Sequence, residues 1–160
     1  KRGKRMDEQI DILKGLMGGE YFGYKGQFYD IPELKLCPVP SKPVPILIGG
    51  HSNLALKRAA RVGDGWISAG LSLEETKTLI DKINSYREEF GTKDHPNYQF
   101  QVMGEAAYSP DGIKQLEELG ATEVIVAFRN AYEGGPDNRT LESMIAEINW
   151  YAEEVINKSI

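Results

Sequence analysis

The chain has 160 residues, 41% of them hydrophobic and 27% charged, with a formal net charge of -5 and one cysteine. That balance suits a globular protein with an adequate core, and the acidic surplus without a basic stripe argues against a nucleic-acid surface. No apolar run reaches the length of a membrane span, so no membrane partner and a cytoplasmic location are expected. Cys37, with only His51 and His95 elsewhere, builds neither an intrachain disulfide nor a zinc site, and it reads as a small buried hydrophobe.

In chain order, residues 1–17 place Met6, Ile10, Leu13 and Met17, with Leu16 beside them, on one helical stripe. Gly18 and Gly19 end it. The leading Lys1, Arg2, Lys4 and Arg5 read as a solvated chain end. A helix is entered at once, with no strand before it, as in a piece of something longer. Residues 20–45 interleave Tyr21, Phe22, Tyr24, Phe28 and Tyr29 with Gly23 and Gly26, and Pro32, Pro38, Pro40, Pro43 and Pro45 follow. That proline density excludes a helix and most central strands. A short hairpin over 21–31 and then an extended loop are expected, and connections this long usually cover a site or pack as an insertion.

Residues 45–56 combine three signals. Ile46, Leu47 and Ile48 form a short buried strand; Gly49 and Gly50 turn it; Ser52 offers a helix N-cap ahead of Ala and Leu at helical spacing over 54–62. A strand, a Gly-Gly turn and a helix N-terminus together aim backbone N–H groups and the positive end of the helix dipole at one point, a geometry that binds phosphate. A structural turn with no ligand is the alternative on these residues alone.

Gly63 ends that helix and Asp64-Gly65 turns the chain into a second strand over 66–69. Ser72 with Glu75 is a capping box, and Thr76, Leu79, Ile80, Ile83, Tyr86 and Phe90 give the next helix an apolar face up to Gly91. Residues 98–103 alternate as a strand does and run on toward Ala107. Ser109-Pro110 starts a short helix ended by Gly120. Residues 123–128 are apolar enough for a fourth strand buried on both faces. A loop over 129–139 leads to a last helix over about 140–156, with Leu141, Met144, Ile145, Ile148, Tyr151, Ala152 and Val155 inward.

Four strands therefore alternate with four helices, an α/β arrangement with a parallel sheet and helices outside. Four such units are half of a (β/α)8 barrel or a small doubly wound sheet. One domain over 1–160 is expected, with a helix (1–19), an insertion loop (20–45) and four βα units (46–160).

Several runs carry a resemblance to a known family: Arg5-Met6-Asp7-Glu8 in the first helix, the aromatic insertion at 19–29, the proline-rich approach to Pro45-Ile46-Leu47-Ile48-Gly49-Gly50, Arg58-Ala59-Ala60-Arg61-Val62-Gly63-Asp64-Gly65-Trp66, and Leu119-Gly120-Ala121-Thr122-Glu123-Val124-Ile125-Val126. In order and spacing they resemble the C-terminal half of the luciferase-like flavin monooxygenase family, which includes bacterial luciferase, alkanesulfonate monooxygenases and coenzyme F420-dependent dehydrogenases and reductases. The resemblance implies a partial TIM barrel supplying strands five to eight, with FMN or coenzyme F420 at the C-terminal mouth. It also implies that cofactor phosphate sits at Gly49, Gly50, His51 and Ser52. Asp64 reads as a turn and capping residue. The family's ring and substrate contacts come largely from strands not present here, so no catalytic residue follows by motif. Ser68, Glu105 and Arg129 lie near expected strand ends and are candidates for contact with substrate or the cofactor's polar tail.

A half-barrel exposes two strand edges and an inner face, so a homo-oligomer or association with an N-terminal half is expected. The leading reading is an FMN- or F420-dependent oxidoreductase acting on a small-molecule substrate. The alternatives are a non-catalytic flavin-binding or structural module, and an unrelated domain binding a phosphorylated metabolite.

Overall fold

Helix α1 (Arg2–Met17) forms where the apolar spacing places it. Its burial differs from the expected stripe: Ile10 and Ile12 are buried, whereas Met6 and Leu13 are exposed. In the computed structural model, which describes residues 1–129 and 134–159, the chain separates into two compact units, Lys1–Ile46 and Leu47–Ile160.

In the first unit, strands β1 (Phe22–Lys25) and β2 (Asp30–Leu34) make the expected antiparallel hairpin. Phe22 packs its ring over Gly15 of α1, where an added Cβ would come within 2.2 Å of it. Glu8 fixes the hairpin turn to the helix. Its carboxylate accepts the backbone N–H groups of Gln27, Phe28 and Tyr29 at 2.8, 2.9 and 3.1 Å, charge-assisted bonds that are stronger than neutral ones. Cys37 lies exposed in the proline-rich stretch, not buried as its residue type suggested. That stretch is almost wholly exposed, so no apolar layer surrounds it.

The second unit is a four-stranded parallel sheet, β3 (Leu47–Gly49), β4 (Gly65–Ile67), β5 (Gln99–Met103) and β6 (Glu123–Ile125), in the spatial order β3-β4-β5-β6. A doubly wound sheet reverses its strand order at a switch point. Strictly sequential order is that of a barrel wall, and it resolves the two architectures the alternation left open. Helices α2 (Asn53–Val62), α3 (Leu73–Phe90) and α4 (Pro110–Glu118) follow β3, β4 and β5, and α5 (Leu141–Tyr151) follows β6.

Local chemistry sets these helix limits. Ser52 Oγ accepts the Ala55 N–H at 3.3 Å, Ser72 and Glu75 form the reciprocal capping box, Ser109 caps α4 ahead of Pro110, and Gly91 closes α3 at φ +67°. The core lies between the helices and one sheet face. Ile48, Trp66, Phe100 and Val102 alternate onto that face and are buried, with Leu56, Ala59, Ile80, Ile83 and Leu116 against it.

Three expectations are corrected here. Residues 105–108 turn as a 3-10 helix where the β5 strand was expected to run on, because Ala107 buries itself against Val102 and Leu116. Strand β6 stops at Ile125 and is not buried on both faces: Glu123 is exposed and Val124 and Ile125 are half-buried, at the edge of the sheet among the described residues. Leu141, Ile145 and Ile148 of α5 point outward at 67%, 48% and 55% exposure. Tyr151, the last residue of α5, and Val155, in the π-helical turn Ala152–Ile156 that follows, carry the packing instead, and the Tyr151 hydroxyl donates to Ala107 O at 2.8 Å. Part of the loop expected over 129–139, residues 130–133, lies outside the described residues.

Candidate functional site

Because the four strands are parallel and sequential, all their C-terminal ends lie along one rim of the sheet. The rim carries the turn at 49–52 after β3, Ser68 after β4, Glu105 after β5 and Arg129 after β6. Topology thus gathers every candidate residue on one edge.

The turn at 49–52 is built around Gly50, whose φ of +110° is a backbone state L residues rarely adopt. Gly49, Gly50, His51 and Ser52 are all exposed. Helix α2 starts directly behind them, so the N–H groups of Asn53 and Leu54 have no intrahelical acceptor and the positive end of the dipole faces the rim. The turn is clamped from β4. The Trp66 indole Nε1–H donates to Gly50 O at 3.0 Å, and Trp66 itself is fully buried. The Ala69 N–H donates to His51 Nε2 at 3.4 Å, and the His51 and Trp66 rings sit 6.1 Å apart.

His51 also borders a recess of about 330 Å³ shared with Leu71, Glu74, Glu75, Thr78 and Leu79. Glu75 is held below the usual carboxylate range, first by the Ser72 backbone N–H, then by the Ser72 hydroxyl, with a smaller contribution from His51.

Ser68 is buried, and its hydroxyl accepts the Met103 N–H at 3.0 Å while its own N–H donates to Gln101 O at 2.9 Å. It ties the ends of β4 and β5 together. Glu105 opens the 3-10 turn and lines a cleft of about 600 Å³ with Gly70, Leu71, Gly104, Asp111 and Gln115. The cleft depends on close backbone approach: a Cβ on Gly104 would meet Leu71 O at 2.3 Å, and one on Gly112 would meet Ala106 O at 2.1 Å.

Arg129 donates to Gly135 O at 3.1 Å and lies 3.5 Å from Asp137. Asp137 in turn receives Arg139 through both carboxylate oxygens, at 3.0 and 2.9 Å. These bonds pull the Asp137 carboxyl down to about 2. Arg139 further reaches Glu147 at 2.8 Å, joining the loop to α5.

Two features of this rim escape a reading of residue types. Trp66 stands in the recognisable run 58–66, but that its indole holds Gly50 O is a contact across sixteen positions. Asp111 and Gln115 reach the cleft only because α4 doubles back after β5. Among the described residues no three histidine, cysteine or carboxylate side chains gather as a metal site, and no helix is long and apolar enough to cross a membrane.

The family profile described as luciferase-like monooxygenase matches residues 1–112. An uncharacterized protein of Mycobacterium tuberculosis is 46% identical over 158 residues, which is 99% of this chain and 54% of that protein. The F420-dependent hydroxymycolic acid dehydrogenase of the same species is 32% identical over 79 residues, covering 49% of this chain and 22% of that enzyme. The FMNH2-dependent dimethylsulfone monooxygenase of Pseudomonas fluorescens is 34% identical over 85 residues, covering 53% and 23%. Among solved structures, the coenzyme F420-dependent tetrahydromethanopterin reductase of Methanopyrus kandleri superposes with a TM-score of 0.66 at 14% identity, over 96% of this chain and 63% of that one. The chain spans about half the length of the first of these relatives, and less of the other two.

Proposed function

The chain belongs to the luciferase-like monooxygenase family, and from that premise we propose that it is the C-terminal half-barrel of an FMN- or coenzyme F420-dependent oxidoreductase that holds its cofactor's phosphate at residues 49–52. The observation that carries this reading is the turn itself. Gly50 at φ +110° stands at the rim, the α2 N-terminus lies behind it, and Gly49 and Gly50 are both exposed. A Cβ at Gly49 would meet nothing closer than Ile67 Cγ2 at 3.5 Å, so the surface above the turn is open to a ligand. Relatives that use F420 or FMNH2 support either cofactor.

In this reading the N–H groups at 50–54 receive the phosphate oxygens, and Ser52 divides its hydroxyl between capping α2 and the ligand. Trp66 holds the Gly50 peptide in place. His51 stands in the same turn, its Nε2 accepting from the Ala69 N–H. The bound cofactor supplies the redox chemistry, hydride transfer for F420 or flavin chemistry for FMN. Glu105 and Arg129 stand on the same rim, where a small-molecule substrate or the cofactor tail would meet them, and Ser68 fixes the spacing of β4 and β5 beneath. The remaining barrel wall comes from a complementary N-terminal half or from a second copy of the chain.

The test is a fluorescence titration of the complete polypeptide with FMN, riboflavin and F420. Tight binding of FMN or F420, with riboflavin bound at least about tenfold more weakly and the difference erased by inorganic phosphate, supports the reading. Equal affinity for FMN and riboflavin removes the phosphate from residues 49–52. Binding of none of the three removes the oxidoreductase reading.

A further inference from the structure

We propose that the uncovered face of the four-stranded sheet is closed by strand-and-helix units of a longer polypeptide, and that those units set one lysine or arginine side chain against Glu123. The inference rests on the half-barrel reading above and specifies the missing partner's chemistry.

Alternation along the strands divides the sheet into two faces. One carries Ile48, Trp66, Phe100 and Val102 and is buried under helices. The other carries Leu47, Ile67, Met103 and Ile125, all only half-buried, together with a polar row. In that row Gln101 Nε2 donates to Glu123 Oε2 at 2.7 Å, and Gln99 Oε1 lies 3.5 Å from the same Nε2. The strand residues on this face therefore include one carboxylate and no cation. Four half-exposed apolar side chains on a parallel sheet call for cover, since such sheets are stable with both faces buried. Among the described residues strands β3 and β6 each have one neighbour, leaving a pairing edge on either side.

Cover brings a charge problem. Once enclosed, the Glu123 carboxylate loses its water, and one hydrogen bond from Gln101 does not replace a hydration shell; buried carboxylates are paired or protonated. A second copy laid face to face would bring a second Glu123 and no cation, so it does not complement this surface. The 46% identical relative is nearly twice as long as the segment it shares with this chain, which is enough polypeptide for four more βα units. In a closed barrel β6 pairs with the first strand of those units, and an inward-facing lysine or arginine there would lie in the layer of Glu123 and Gln101.

The experiment compares Glu123→Gln with Glu117→Gln, an exposed carboxylate on α4, in the complete polypeptide. Glu123→Gln lowers the thermal midpoint by about 5 °C or more, because it strands the facing cation, while Glu117→Gln leaves it within about 1 °C. Glu123→Leu combined with methionine in place of the facing cation recovers the midpoint. Indistinguishable midpoints for Glu123→Gln and Glu117→Gln would overturn the proposal, as would a dimer of the 160-residue chain in sedimentation that Met103→Glu dissociates, since that places a second copy on this face. FMN and F420 binding measured on the same wild-type sample separates the two readings. Absent binding refutes the oxidoreductase while leaving the Glu123 result to stand, and normal binding with a neutral Glu123→Gln refutes the cation alone.

Discussion

Adjacent glycines at the rim are expected to respond in opposite ways to the same methyl group. Gly50 has φ +110°, and a Cβ there would stand 3.1 Å from the Ala55 Cβ. An alanine forced into that half of backbone space costs about 2 kcal/mol, and a carbon contact inside the usual 3.5–4.0 Å adds a fraction more. Gly49 has an ordinary φ and an ordinary 3.5 Å contact with Ile67 Cγ2. Alanine there reduces the freedom of the unfolded chain and stabilises by up to about 1 kcal/mol. For a domain of this size the predicted midpoints are about 6 °C lower for Gly50→Ala and unchanged or about 2 °C higher for Gly49→Ala. Thermal and guanidinium unfolding followed by tryptophan fluorescence reads this directly, because Trp66 is fully buried against the same turn. Equal losses for the two variants, or none for Gly50→Ala, would refute the account of the turn.

Further predictions concern the framework. Trp66→Phe removes the bond to Gly50 O and leaves a small void, and it costs about 2 kcal/mol in denaturant unfolding; a loss below about 0.5 kcal/mol would mean the indole does not clamp the turn. Ser68→Ala leaves the Met103 N–H without its acceptor and costs about 1–2 kcal/mol, and an undiminished midpoint would contradict its role between β4 and β5. Burial pushes the Tyr98 hydroxyl up to about 12 from 10.0, against a smaller opposing effect of Arg87. A raised folded pKa means this stabilisation is complete below pH 10 and is lost as pH rises through about 12, so tyrosinate absorbance should show a late-titrating component that coincides with alkaline unfolding and shrinks in Tyr98→Phe; its absence in wild type would count against burial. Asp137, lowered from 3.8 to about 2 mainly by Arg139, contributes above about pH 4 and ceases to as pH falls through 2. Arg139→Met should flatten that acid limb, as read by amide exchange in the loop leading into α5.

Helix limits were legible in the sequence because their causes are local. Ser52, the Ser72 and Glu75 pair, Ser109 with Pro110, and Gly91 each satisfy backbone groups within four residues of themselves. The βα alternation and the Gly-Gly turn were readable for the same reason. What escaped depends on neighbours distant in sequence. The early end of β6 and the outward Leu141, Ile145 and Ile148 reflect surfaces with nothing against them among the described residues. The 3-10 turn at 105–108 is set by Ala107 seating itself in the Val102 and Leu116 cluster. At the site, residue types pointed to the turn and the rim, but not to Trp66 gripping Gly50 O, to His51 accepting from Ala69, or to Ser68 being sealed between strands.

The most direct measurement is amide chemical-shift mapping of the protein during addition of FMN, and separately of inorganic phosphate. The account predicts that both ligands shift the same backbone N–H groups, those of residues 50–54, with Gly50 and Ser52 among the largest. Shifts confined to the cleft of Glu105 and Asp111, or to the loop of Arg129 and Arg139, would contradict it.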